Sequence, residues 1–276
     1  MNLLNILYQI SDTDPEFLGR MDTRRAAMRS FFGAGKKVTA LAVPLLMGNM
    51  FQKAYGKTND TVIEILNYAL TLEHLEAAFY KKANEVGATL LPSDAARGAI
   101  KTIGDHETAH VKLLKEVIES MQGMPVSAPE FDFTAGGAFA DVFTNYTTFL
   151  AVAQAFEDTG VRAYKGRAAE IVQGGDILEA ALNIHSVEAR HAAHIRLMRR
   201  NAKHAPTLKP WITGKESGIG AVVQPIYDGE ENTKQATIEI VNINGMVISS
   251  AAASEAFDEP LSKEQVLAIV GPFIVK

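Results

Sequence analysis

The strongest constraint on the fold is a spacing of acidic, aromatic and imidazole side chains that occurs twice. In each half of the chain a glutamate is followed seven residues later by a tyrosine and, further along, by a Glu-x-x-His sequence. The first half supplies Glu73, Tyr80, Glu107 and His110, and the second half supplies Glu157, Tyr164, Glu188 and His191. A single Glu-x-x-His is common by chance, but two copies at matching places predict two related halves that build one site.

Four segments place apolar residues at the three- and four-residue spacing of one helix face. They run from Asn59 or Asp60 to about Val86, from Ser93 to about Gln122, from about Ala140 to Val172, and from Asp176 to about Asn201. Asn59 and Asp60 are good helix N-caps, and two glycines separate the third segment from the fourth. The sequence therefore predicts an all-α fold of four long helices.

The connections between these segments differ in length. About seven residues around Leu91-Pro92 join the first two helices and about four join the last two, which favours two antiparallel hairpins. The link from Gly123 to Phe139 could span roughly 55 Å when fully extended. A 25-residue helix is only roughly 38 Å long. The link can therefore cross the length of the bundle and place the two hairpins side by side.

Both members of each Glu-x-x-His sequence can reach one point in the interior. At about 100° per residue, Glu107 and His110 lie about 60° apart on adjacent turns, and so do Glu188 and His191. All four lie within apolar stripes, where a carboxylate is costly unless it is paired or bound to metal. Two divalent cations would neutralise four carboxylates, which favours a carboxylate-bridged two-metal site.

The spacing also assigns a role to each ligand. Glu73 and Glu157 are predicted to bind one metal each, Glu107 and Glu188 to bridge the two metals, and His110 and His191 to supply one nitrogen each. The chain has no cysteine, so oxygen and imidazole nitrogen must hold the metal, which suits iron, manganese or zinc. We expect two iron ions, with manganese as the alternative. The competing interpretation is that each Glu-x-x-His is a hydrogen-bonded pair in the core.

Several neighbouring residues are weaker candidates. Glu76 competes with Glu73, which is preferred because its spacing to Tyr80 recurs at Glu157 and Tyr164. The residues expected at the surface or behind the ligands are His74, His106, His185, His194 and Asp158. Core packing is the simplest role for Tyr80 and Tyr164. A hydrogen bond behind the metal ligands, or a part in radical transfer, is their alternative role.

Composition and the C-terminal pattern limit what else the chain contains. The net charge of -5 offers no electrostatic surface for nucleic acid, so no such partner is expected. After His204 the helical pattern stops; Ala236 to Ile243 alternates like a short strand, and Ser262 to Ile269 predicts a final helix. We expect residues 205–276 to form a small mixed appendage on a bundle of residues 57–204, and to contribute to a homo-oligomer interface.

The N-terminal segment, residues 1–56, has the character of an export signal. A basic stretch from Thr23 to Arg29 precedes Lys36-Lys37 and an apolar run from Val38 to Met47. The adjacent arginines indicate a signal of twin-arginine type, and the apolar run is too short for a stable membrane span. We therefore expect a periplasmic or otherwise exported protein. The alternative is an amphipathic N-terminal helix packed on the bundle of a cytoplasmic protein.

These motifs resemble the ferritin-like superfamily, and within it the bacterial ferritin-like domain proteins akin to plant desiccation-related proteins. The likeness covers about residues 58–276 and is carried by the stretches 70–80, 105–110, 155–164, 187–194 and 254–261. The resemblance implies a ferritin-like four-helix bundle that holds a di-iron or di-manganese centre. It leaves the reaction open, because the superfamily spans iron storage, oxygen or peroxide reduction, and hydroxylation.

Two functions of different classes fit the sequence. The first is a redox protein, ferroxidase-like or manganese-catalase-like, that acts on Fe(II), oxygen or peroxide in stress protection. The second is a non-catalytic envelope or desiccation protein in which the metals are structural or absent. Metal analysis that finds far fewer than two ions per chain would exclude the first, whereas loss of peroxide turnover in Glu107→Ala without unfolding would count against the second.

Overall fold

Four long helices arranged as two hairpins dominate the computed structural model, which describes residues 61–171 and 175–275. The helices are α1 (Val62–Val86), α2 (Asp94–Ser120), α3 (Tyr146–Ala168) and α4 (Asp176–Asn201). α1 packs on α2 and α3 packs on α4, while α1 also contacts α3 and α2 also contacts α4. The predicted four-helix bundle is therefore confirmed. The predicted export signal, residues 1–56, lies outside the described residues.

The helices begin where polar side chains cap them. Thr61 and Glu64 form a capping box at the start of α1, and the Ser93 hydroxyl accepts a hydrogen bond of 3.1 Å from the Ala96 N–H in α2. The predicted start of the third helix, near Ala140, is wrong. Its N-cap is Asn145, because residues 134–144 form a run of turns before the helix begins.

The long link between the hairpins, residues 121–145, follows the length of α1. Near the start of α1, the side chain of Asn67 accepts a hydrogen bond of 2.7 Å from the Val126 N–H. Near its end, Phe79 contacts the ring of Phe133 at a centroid distance of 5.4 Å. The predicted crossover is thereby confirmed, and it covers the outer face of α1.

Helix α3 is buried on nearly all sides because C-terminal residues cover the face that the other helices leave open. Two helices, α5 (Ser250–Ser254) and α6 (Lys263–Val270), belong to this covering layer. Arg162 of α3 binds this layer directly. Its guanidinium donates a hydrogen bond of 2.7 Å to the Glu259 carbonyl and forms an ion pair of 2.8 Å with Glu230. The predicted final helix is confirmed as α6, with Ser262 as its N-cap.

The segment from Lys234 to Ser249 is not part of the compact unit that contains the four helices. It contains the strands β1 (Lys234–Gln235) and β2 (Ile238–Glu239), which pair antiparallel. The predicted single strand from Ala236 to Ile243 is wrong. Ala236 and Thr237 adopt left-handed conformations, with φ of 54° and 71°, so the β-prone sequence turns back on itself as a tight hairpin.

None of the helices within residues 61–171 and 175–275 combines the length and low charge that crossing a bilayer requires.

Gly166 allows a test of how closely the C-terminal layer packs against α3. A Cβ at residue 166 would lie 2.0 Å from the carbonyl oxygen of Leu261. We predict that Gly166→Ala destabilises the protein by about 3 kcal/mol, because a side chain there forces two backbones apart. Gly98 is the matched control: a Cβ on this exposed glycine of α2 meets no atom within 4 Å. Gly98→Ala should stabilise α2 by about 1 kcal/mol.

Guanidinium unfolding of the metal-free protein measures both changes. Equal midpoints for the two variants would contradict the close approach of Leu261 to α3.

Candidate metal centre

The four helices bring all six predicted ligands to one region of the core. Glu73 lies on α1, Glu107 and His110 on α2, Glu157 on α3, and Glu188 and His191 on α4. All four glutamates are fully buried, and the two histidines expose only 8% and 5% of their surface. The helical spacing thus places every candidate side chain inside the bundle.

The ligand atoms form two overlapping groups, each able to hold one ion. One group joins Glu73 and His110, and the other joins Glu157 and His191. Both groups also include Glu107 and Glu188, and within each group the ligand atoms lie within 4.8 Å of one another. This arrangement matches the bridging and terminal roles that the spacing predicts, while metal ligation by these six residues remains a prediction.

Several of these atoms lie close together without the geometry of a hydrogen bond. The Nδ1 atom of His191 lies 2.8 Å from Oε1 of Glu107 and 3.3 Å from Oε2 of Glu157, yet none of the three atoms has a hydrogen-bond partner among the described residues. Both carboxylate oxygens of Glu188 lack one as well. Buried polar atoms are rarely left unpaired. Their convergence fits a shared cation better than a set of hydrogen-bonded pairs.

The first Glu-x-x-His differs in this respect. His110 and Glu107 lie within hydrogen-bonding distance of each other, with Nδ1 and Oε2 3.1 Å apart. The interpretation of a hydrogen-bonded core pair therefore fits the first copy but not the second, where His191 and Glu188 have no such bond.

Without metal, the site holds protons on its histidines. Burial raises the pKa of Glu73 to about 8. Burial also acts to raise the pKa of Glu107, but the imidazoles of His110 and His191 outweigh it and lower that pKa to about 2. Burial lowers the pKa values of His110 and His191, but the surrounding glutamates dominate and raise them to about 12 and about 10. At neutral pH both imidazoles therefore stay protonated.

The two tyrosines link the hairpins. The Tyr80 hydroxyl on α1 donates a hydrogen bond to Glu157 on α3, and the Tyr164 hydroxyl on α3 donates one of 2.5 Å to Glu73 on α1. Burial and the adjacent glutamates raise the pKa of both hydroxyls well above 10, so both keep their protons. Core packing alone is therefore an incomplete account of them. The seven-residue spacing lets each helix hold the terminal glutamate of the other.

The flanking residues do not all lie where the sequence predicts. His106 stands behind a ligand, with its Nδ1 3.0 Å from Nε2 of His191, and His194 is exposed. His74 and Asp158 are not at the surface, which was one of the two placements expected for them; both are buried, and neither belongs to the two groups of ligand atoms. Both side chains are buried because segments that are distant in the sequence pack over them. The crossover covers His74, whose Nε2 lies 3.3 Å from the Val126 carbonyl.

Asp158 is buried by the C-terminal layer. Its carboxylate pairs with Arg196 of α4 and accepts a hydrogen bond of 2.7 Å from the Tyr227 hydroxyl. Asp158 is about 100° around α3 from Glu157, so this pair lies on a different face of the helix. It neutralises the aspartate without bringing a cation to the glutamates of the site.

An open groove between α2 and α4 leads toward the site. Its lining includes His106 and the ligand His191, together with Arg190 and His194. This groove gives a small molecule a route to the edge of the metal centre.

Family comparison agrees with the geometry. The family model described as a ferritin-like domain matches residues 61–201, which is half of the chain and contains all six candidate ligands. The chain therefore belongs to the ferritin-like domain family. No curated protein matches it.

Metal binding should release protons, because both histidines must lose one before Nδ1 can bind a cation. We predict release of at least two protons per chain, because Glu73, with a pKa of about 8, also gives up a proton. The apparent affinity should rise at least about tenfold per pH unit between about pH 6 and pH 8. Calorimetric titration with Mn(II) in buffers of different ionisation enthalpy measures the count. His191→Gln should release fewer protons and the exposed control His194→Gln the same number. A pH-independent affinity would refute the protonated metal-free site.

The tyrosine pair should matter to metal binding. Tyr80→Phe and Tyr164→Phe each free a terminal glutamate from its cross-helix hydrogen bond, so we expect the affinity for metal to fall about tenfold. Tyr146→Phe is the control, because that ring contacts His204 outside the site. Direct titration of all three variants with metal measures these affinities. Wild-type affinity in both Tyr80→Phe and Tyr164→Phe would show that the hydrogen bonds do not orient the ligands.

Proposed function

We propose that this chain is a carboxylate-bridged dimetal redox protein, which binds two iron ions, or two manganese ions, and acts on Fe(II), oxygen or peroxide. One observation carries the proposal: two groups of buried ligand atoms share Glu107 and Glu188, and several of these atoms have no partner among the described residues. Carboxylate and imidazole ligands with this sharing suit a pair of redox-active cations.

The residues of the site fit the needs of such a metal pair. When bound, iron or manganese supplies the one-electron chemistry that glutamate and histidine side chains cannot provide. Four carboxylates offset the charge of two divalent ions, and both histidines offer Nδ1 to the interior. Tyr80 and Tyr164 hold the terminal glutamates in place and keep their own protons. The surrounding apolar core keeps bulk water away from the ligands.

The size of the opening indicates a small substrate. The ligands are almost fully buried, and the groove between α2 and α4 reaches the site only at His106 and His191. Fe(II), oxygen and peroxide are small enough to pass such an edge, whereas a large organic substrate would require the helices to separate. The proposal therefore places the chemistry on inorganic substrates.

The test is metal analysis followed by anaerobic Fe(II) titration and exposure to oxygen, with the optical spectrum recorded. We predict two iron ions per chain and an oxo-bridged ferric absorption. Glu107→Gln should lower the rate of Fe(II) oxidation by about 100-fold or more, since even residues behind metal ligands affect activity 10- to 100-fold. Glu116→Gln, an exposed change on the same helix, should leave the rate unchanged.

The other outcomes separate the alternatives. Retained manganese with rapid loss of peroxide would assign a catalase-like reaction to the same site. Two bound metals that raise the unfolding midpoint without any turnover would favour a non-catalytic stress protein braced by metal. Far fewer than two metals per chain after incubation with iron or manganese would refute the proposal.

A further inference from the structure

The two halves of the site differ at one matching position. Glu76 follows Glu73 by three residues, and Gly160 follows Glu157 by three residues. A three-residue step keeps each on about the same helix face as its glutamate, roughly 60° away. Where α3 has no side chain, α1 therefore carries an additional carboxylate toward the site.

Glu76 reaches across the bundle into the space that Gly160 leaves. A Cβ on residue 160 would lie 3.3 Å from Oε1 of Glu76 and 3.0 Å from Oε2 of Glu188. Both oxygens thus border the same small volume. Glu76 is only 3% exposed, so its carboxylate faces the interior and not solvent.

No described cation of the protein neutralises this carboxylate. The charged groups that act most strongly on Glu76 are glutamates: Glu188, Glu157, Glu107 and Glu73. Two buried guanidiniums are paired elsewhere, Arg196 with Asp158 and Arg162 with Glu230. A carboxylate beside others in an apolar core is costly unless a cation lies between them. The unpartnered oxygens of Glu188 point to where that cation would bind.

Glu188 indicates which of the two metal positions Glu76 joins. Its Oε1 atom lies 3.3 Å from Nδ1 of His110, on the side of the first ligand group. Its other oxygen, Oε2, is the one beside Glu76 and Gly160. Gly160 lies one turn after Glu157 on α3, so we take this oxygen to face the second group, which contains Glu157 and His191.

We infer that Glu76 is a fifth carboxylate of the centre, which adds an oxygen ligand to the position held by Glu157 and His191. This inference depends on the proposed dimetal site. It makes the two positions unequal: the second has one more carboxylate than the first. The second position therefore binds a divalent cation more tightly. A side chain at Gly160 would crowd the carboxylate oxygens of Glu76 and Glu188.

Stepwise titration with Mn(II), followed by calorimetry and by the electron paramagnetic resonance signal of free Mn(II), tests the inference. The wild type should bind two ions in steps that differ by about tenfold or more. Glu76→Gln keeps the shape of the side chain and removes its charge. The variant should still bind two ions, but the tighter binding step should weaken about tenfold, so that the two binding constants become similar. Glu85→Gln, an exposed change on α1, should match the wild type.

Gly160→Ala is the second variant and decides the question if Glu76→Gln does not fold. It retains Glu76 but crowds its carboxylate and the adjacent oxygen of Glu188, so it should weaken the tighter step more than the other. Circular dichroism confirms that each variant keeps its helices. Two Mn(II) ions bound with wild-type constants by Glu76→Gln, or an equal weakening of both steps, would overturn the inference and leave the dimetal proposal standing. A wild-type chain that binds fewer than two ions would overturn both.

Discussion

The burial of five glutamates around one point is the constraint on which the rest of the structure depends. Carboxylates in an apolar interior repel one another and lose their hydration, so a bundle with this core is costly without cations. The protein's own response in the absence of metal is to keep His110 and His191 protonated. Two bound cations would replace those protons and satisfy the oxygens of Glu188, which no described residue contacts as a hydrogen-bond donor.

The two hairpins are held together by contacts that act on the same glutamates. Tyr80 and Tyr164 exchange hydrogen bonds between α1 and α3, so each hairpin fixes a ligand of the other. The crossover along α1 and the C-terminal layer on α3 then close the outer faces of these two helices. Arg162, buried between α3 and that layer, makes the layer part of the packing that keeps the site dry.

Local spacing was enough to predict which side chains meet in the core, because Glu107 with His110 and Glu188 with His191 depend only on the pitch of their own helices. The crossover followed from the length of its sequence. The burial of His74 and Asp158 could not be predicted, because it depends on segments far away in the chain that cover them. Glu76 was ranked below Glu73 by an argument from repetition, and such an argument cannot detect a position at which the halves differ. The hairpin at Ala236 and Thr237 required left-handed backbone that β-prone residues do not signal.

The most direct test of the central claim is a crystal structure of the metal-loaded protein with anomalous diffraction recorded at the iron or manganese edge. The account predicts two peaks about 3.5–4 Å apart between Glu107 and Glu188, as in other two-metal sites. One peak should lie beside Glu73 and His110, and the other beside Glu157 and His191. A single peak, or no peak among these residues after loading, would contradict it.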